Sequence, residues 1–252
     1  MPTSLPAQVL DRLGGAGAQP RLTWYDDEGR VELSGHVAAN WVVKTTNLLC
    51  EELDVEPGVR VVLDLPPHWR TVVWGLAAWR AGATLVTAAD RGTLPTLTLG
   101  PDDVVVTDRP AAWPATRAHL VAVTLAALAR RFAGELPAGA IDAASAVMTY
   151  PDRLGLVPDV EPGAIALEAA GGLITRYDEL PRLLGVHDLA ASAHERVLVT
   201  VATDPADLVV STIGLWSRDA SVVAAPAGTD PQRRNRVAQD ENVTRDEGSD
   251  SR

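Results

Sequence analysis

A single lysine, Lys44, and a single cysteine, Cys50, stand in a chain of 252 residues. One cysteine excludes an internal disulfide and a cysteine-rich metal site. One lysine leaves little for any chemistry that needs an ammonium group on a phosphate or a nucleophilic amine. Positive charge is short as well: 33 acids face 22 bases, for a net charge of −11. That argues against a nucleic-acid-binding surface and against docking on anionic membranes. No apolar run reaches the length of a membrane span. The opening "MPTSLPAQVLDRL" has no basic segment leading into an apolar one, so no secretory signal is expected and the expected location is cytoplasmic. Gly-x-Ser-x-Gly does not occur around Ser145, Ser192, Ser211 or Ser217, which leaves a hydrolase triad unsupported. His187 and His194 lack the His-Glu-x-x-His spacing, and a solvated helix face is expected there rather than a metal site.

What is present is a regular alternation of strand and helix patterns. "LPAQVLDRLG" has helical apolar spacing and stops at "GGAG" (Gly14 to Gly17), a run that follows a helix and so is read as a linker. "RLTWYDDEGRVELSG" reads as two strands around a turn, with Ser34 placed to cap a long helix through "HVAANWVVKTTNLLCEEL". "VRVVLDL" (Val59 to Leu65) is a continuous apolar strand, and "HWRTVVWGLAAWRAGA" a helix with Trp69, Val72, Val73, Leu76 and Trp79 on one face and Trp74 on another. "TLVTAA" closes a strand–helix–strand unit, which implies a parallel sheet buried on both faces. "DVVVTD", "HLVAVTL", "AIALEA", "ERVLVTVAT" and "ASVVAAPAG" continue as strands. "AIDAASAVMTY", "TRYDELPRLLGV" and "PADLVVSTIGLW" read as helices. The fold class is therefore α/β, with a largely parallel sheet flanked by helices. The expected organisation is an N-terminal helix and linker over 1–20, one α/β domain over 21–228, and a disordered polar tail over 229–252. That tail has no aromatic residue and no Leu, Ile or Met. Trp24 and Trp216 have no clear place in these patterns, while the remaining helical tryptophans read as core. Asp102-Asp103 read as a turn with Pro101. His68 follows "LPP" at the end of a buried strand, which suits either a ligand at the sheet edge or a helix-entry turn.

The segment from Leu33 to Ala88 resembles the opening of the adenylate-forming superfamily of acyl-CoA synthetases, nonribosomal-peptide adenylation domains and luciferases. The turn and strand "VEPGVRVVLDLP", the helix "PHWRTVVWGLAAWRAGA" and the strand "TLVTAA" follow that family's order and spacing. A looser resemblance extends to about Pro226, over the front half of a full-length member. It points to a bacterial group of short proteins similar to this half alone.

The resemblance implies a phosphate loop rich in Ser, Thr and Gly and ending in Pro-Lys-Gly, whose amides, hydroxyls and lysine hold the polyphosphate of ATP. The matching stretch here is "EAAGGLITRYDEL". Gly171 and Gly172 are present, but the Ser/Thr run, the proline and the lysine are not. The layout reads as strand, glycine pair and then helix, with Thr175 either a phosphate ligand or a helix cap and Arg176 the nearest positive charge. Gly171, Gly172, Thr175 and Arg176 are thus the candidate nucleotide-binding remnant, and a tight turn is the expected structure. The family's later Tyr-Gly-x-Thr-Glu and Thr-Gly-Asp segments and its C-terminal catalytic lysine are not found in the chain. No catalytic residue and no metal ligand is assigned, and ATP or AMP as cofactor rests on the resemblance alone. The functional expectation is a truncated, non-catalytic relative that keeps the scaffold to bind a small ligand or a protein partner, including a second copy of itself. The alternative is an AMP-dependent ligase completed by a separate subunit.

Overall fold

The computed structural model describes residues 4–26, 29–186, 194–201 and 204–246. Helix α1 (Leu5–Gly15) precedes a hairpin of β1 (Pro20–Tyr25) and β2 (Arg30–Ser34). Helix α2 (Gly35–Asn47) runs on into a π-helical turn, Leu48–Glu52. Its start is set by Ser34, whose hydroxyl accepts from the Val37 amide at 3.2 Å, as the sequence predicts. Strand β3 (Arg60–Asp64), helix α3 (Trp69–Ala81) and β4 (Thr84–Val86) form the expected parallel unit, closed by Gly82 at φ 88°. Next come β5 (Val104–Thr107), β6 (His119–Ala122), β7 (Ile141–Asp142) and the short α4 (Ala143–Ala146). Strands β8 (Ile165–Ala169) and β9 (Leu173–Arg176) precede α5 (Leu180–Val186). The chain continues through β10 (Arg196–Val201), α6 (Pro205–Trp216), β11 (Ser221–Pro226), α7 (Pro231–Asp240) and β12 (Arg245–Asp246).

Among the described residues the strands form two sheets, ordered β7-β6-β5-β3-β4-β8-β9 and β12-β10-β11-β1-β2. Every pairing is parallel except the two hairpins, β1 with β2 and β8 with β9. The fold is therefore α/β and largely parallel. Helix α3 packs on β3 and β4 of the larger sheet, α2 and α6 on strands of the smaller one, and both on α3. One core joins the two sheets through these helices. This explains why α3 is buried on nearly all sides: Trp69 and Trp79 on one face and Trp74 on another are all buried. Gly75 marks a close approach of α3 to α6, since a Cβ there would lie 2.7 Å from Cγ1 of Val209. No helix among the described residues is long and apolar enough to cross a membrane.

Two expectations need correction. The segment after Gly172 is a strand, not a helix. Residues 173–176 pair antiparallel with β8, and helical structure begins only at Tyr177. The polar stretch from 229 is structured as far as residue 246. Asp230 caps α7 by accepting from the amides of Gln232 and Arg233, at 3.2 and 3.0 Å. Val237 is buried, and so is Glu241, which accepts from Tyr25 (2.6 Å), Arg30 (2.6 Å) and Arg196 (2.5 Å). Burial pushes the Glu241 pKa up, but these three donors outweigh it and hold the carboxyl at about 2. Composition predicts disorder where apolar area is scarce. Here a cap, one valine and a multiply bonded carboxylate supply the anchoring instead.

Candidate functional site

The stretch that the sequence singles out is a hairpin turn. Ala169 pairs with Leu173, so three residues connect β8 to β9. Gly171 and Gly172 both have positive φ, 75° and 79°, a conformation L side chains rarely adopt. Neither glycine is there for closeness, because a Cβ on either would meet nothing within 4 Å. Thr175 is buried opposite Leu167 of β8. The Arg176 side chain donates to the Gly163 carbonyl, and its backbone amide donates to Glu179 at 2.9 Å, so Arg176 and not Thr175 starts the following helical turn. At about 3.3 Å per residue, Arg176 lies about 13 Å along the strand from Gly172. The glycine pair and the two candidate side chains do not converge on one point.

A different set of residues does converge. At the start of α3 a cavity of about 630 Å³ opens between the β1–β2 hairpin, α2 and the loop after β6. Leu33, Trp41 and Leu125 supply apolar wall, and His68 and Trp69 form its end. The rings are arranged edge to face. Trp41 and Trp69 have centroids 5.6 Å apart at 67°, and Trp24 and His68 lie 5.3 Å apart at the same angle. The helix-entry reading of His68 is the observed one: its Nδ1 accepts from the Arg70 amide at 3.2 Å, capping α3, and the residue also lines the cavity beyond the carboxyl end of β3. Burial, and then the neighbouring Arg70 charge, pull its pKa down to about 4, against a small opposing pull from Asp26. His68 is thus a neutral imidazole at pH 7, and with Nδ1 accepting, its proton sits on Nε2.

Behind this wall Arg70 is buried. Its guanidinium carbon lies 4.3 Å from the Trp69 ring centroid and 5.0 Å from that of Trp41. It donates weakly to the carbonyls of Ala126 and Ala127, at 3.4 and 3.5 Å, and burial lowers its pKa to about 10. Its Nε and the indole nitrogen of Trp69 are buried without a hydrogen-bond partner. The sequence pattern places Trp69 in the core, which is correct. It is silent on Arg70 beyond its presence in "HWRTVV", where an arginine within a helix buried on all sides is the available signal.

The other candidates resolve as structure. Lys44 pairs with Asp152 at 2.8 Å and donates to the Tyr150 carbonyl. Asp103 is more than a turn residue: it accepts from Gly100 (2.7 Å) and from the backbone (3.0 Å) and side chain (2.6 Å) of Arg60. Ser211 and Ser217 donate to helix carbonyls. The indole nitrogens of Trp24 and Trp216 donate to Asp26 and to the Arg21 carbonyl, both at 2.9 Å. At the carboxyl end of β3, the buried Asp64 accepts from Thr107 (2.7 Å), Trp113 (2.8 Å), Arg91 (3.0 Å) and Arg109 (2.8 Å). This saturated carboxylate pins the sheet edge and has no capacity left for a ligand. His187 lies outside the described residues, and His194 occupies an exposed turn at φ 70°. Among the described residues, no three His, Cys, Asp or Glu side chains are grouped to hold a metal ion.

No protein-family profile matches the chain. A "TIGR03089 family protein" of Mycobacterium tuberculosis is 33% identical over 258 aligned positions, covering 97% of this chain and 98% of the relative. Among solved structures, a Brucella canis acyl-CoA synthetase superposes with a TM-score of 0.75 at 18% identity, over 97% of this chain and 47% of that one. Acetoacetyl-CoA synthetase from Streptomyces lividans gives 0.72 at 18% identity, over 96% and 42%. A Mycobacterium tuberculosis fatty acyl CoA synthetase gives 0.70 at 14% identity, over 95% and 48%. The chain spans less than half the length of these solved structures. Its fold is that of the N-terminal part of adenylate-forming enzymes.

Proposed function

Because the chain belongs to the TIGR03089 family and has the fold of the N-terminal part of adenylate-forming enzymes, we propose that it is a non-catalytic relative of them that keeps their scaffold to bind a small ligand or a protein partner. On this reading it is a bacterial, cytoplasmic protein. The observation that carries the proposal is the hairpin at Gly171-Gly172. Adenylate formation needs the charge of a polyphosphate and its Mg²⁺ neutralised while pyrophosphate departs. At the corresponding place this chain makes a three-residue turn, with Thr175 buried in the sheet and Arg176 held by Gly163 and Glu179. The lone lysine, Lys44, is tied to Asp152 at 2.8 Å. Fold alone does not carry activity.

ATP–pyrophosphate exchange with a broad carboxylate panel tests the proposal. The purified chain is expected to give no exchange above background, and clear exchange would overturn the reading. The second reading, a ligase completed by a separate subunit that supplies the nucleotide contacts, is supported by the superposition of almost the whole chain on enzymes about twice its length. Co-purification of a partner that restores exchange would favour it over the first.

A further inference from the structure

The cavity at the start of α3 is an apolar space with one open hydrogen-bond position. No described residue of the β8–β9 hairpin lines it, so it stands apart from the glycine pair. Much of its wall is apolar and partly wet: Val31, Trp41 and Leu125 are half-buried, and Leu128 is 94% exposed. Apolar surface left in water around a concave space is surface that a bound molecule would cover. At the inner end stands His68, 6% exposed. Its Nδ1 is spent on the Arg70 amide, and it has no second hydrogen-bond partner among the described residues. A neutral imidazole whose Nδ1 accepts carries its proton on Nε2, so the ring holds one donor without an acceptor.

The charges around this donor decide what can bind. Asp26 lines the cavity and brings a carboxylate to it. Arg30 is the one basic residue among the described lining residues, and it is paired with Glu32 and Glu241. Arg70 does not line the space. Its guanidinium lies against the Trp41 and Trp69 rings and donates to the carbonyls of Ala126 and Ala127. Among the described residues, no unpaired cation therefore faces the cavity. An acid placed there would give up its hydration for one neutral donor and meet the Asp26 charge. A neutral oxygen gives up far less, and the single N–H of His68 satisfies it.

We propose that this cavity binds a small, uncharged and mainly apolar molecule carrying one carbonyl oxygen, with its body against Leu33, Trp41 and Leu125 and its oxygen accepting from Nε2 of His68. The volume of about 630 Å³ lies within the range of small-molecule pockets. The proposal rests on the reading of the chain as a ligand-binding scaffold and names the ligand class: a neutral ketone, lactone or amide, not an acid or a nucleotide.

Calorimetric titration of the full chain at neutral pH decides it, with three probes of one ring system: α-tetralone, the hydrocarbon tetralin and tetralin carboxylate. The expected result is saturable 1:1 binding of tetralone, with tetralin at least about threefold weaker, the worth of one net hydrogen bond. The carboxylate is expected to bind more weakly than the ketone. His68→Asp keeps an acceptor to cap α3 and removes the donor. It is expected to bring tetralone down to the affinity of tetralin while leaving tetralin unchanged. Should that variant fail to fold, the ratio of tetralone to tetralin affinity in the unaltered chain decides alone. No saturable tetralone binding, equal affinity for ketone and hydrocarbon, tighter binding of the carboxylate, or a ketone preference that survives His68→Asp would each overturn the proposal. Pyrophosphate exchange run on the same preparation separates the two readings. Exchange together with preferential tetralone binding would sink the non-catalytic reading and leave this site standing. Neither exchange nor binding would sink the site alone.

Discussion

The β8–β9 hairpin and the mouth of α3 are both places where a strand of the larger sheet ends, and they differ in what fills the end. At the hairpin, backbone closes on itself: Gly171 and Gly172 turn the chain, and the side chains after them lie flat in the sheet or bond to neighbouring backbone. At α3 the chain leaves β3 through "LPPH", and the space above the strand is walled by rings and left open. The hairpin carries the glycines that suggest phosphate binding, but Thr175 is buried in the sheet and Arg176 is held by Gly163 and Glu179. The α3 mouth carries no motif and has a cavity, a buried cation and unpaired donors. A motif reports what a loop can do with its backbone, whereas a site also needs volume and unsatisfied groups.

The contrast predicts unequal costs of mutation. Trp69→Ala removes a side chain that is wall to the cavity and core to α3, and is expected to destabilise the fold by about 3–5 kcal/mol. Chemical denaturation measures this, and a cost under about 1 kcal/mol would mean the wall is not packed as described. Acidification is the next test. His68 has a folded pKa of about 4 against its ordinary 6.5, facing Arg70 and Asp26, so the folded chain refuses a proton that the unfolded chain accepts. Stability is therefore full above pH 6.5, falls between pH 6.5 and about 4 by at most about 3 kcal/mol, and levels below that. His68→Asn, which still caps α3, should abolish this fall when urea midpoints are compared across the range. The smallest effect belongs to the hairpin. Gly171→Ala meets open space and suffers only its positive φ, costing about 1–2 kcal/mol. No measurable loss would imply a loop free to rearrange, which would revive it as a binding loop.

Much of this was legible in the sequence, for reasons that differ by region. The unit from β3 to β4 is long, apolar and punctuated by Pro-Gly and Gly-Ala turns, so periodicity alone places it. The stretch "LITRYDEL" is too short for periodicity, and its β-branched Ile174 and Thr175 belong to a strand that exists only because β8 offers an edge. The segment from Asp230 to Asp246 looks disordered by composition because its anchor, Glu241, gains its partners Tyr25, Arg30 and Arg196 only in the folded chain. The cavity was invisible for the same reason. Leu33, Trp41, His68 and Leu125 come from four separate stretches of the chain, and no local pattern joins them.

On the proposed reading, the glycine pair closes the place where the resemblance puts a phosphate loop instead of forming one. Calorimetric titration of the full chain with Mg²⁺·ATP tests this most directly. The expected result is no saturable binding tighter than about 1 mM, with or without a carboxylic acid present. Micromolar binding that is weakened by Thr175→Val or Arg176→Gln would contradict it.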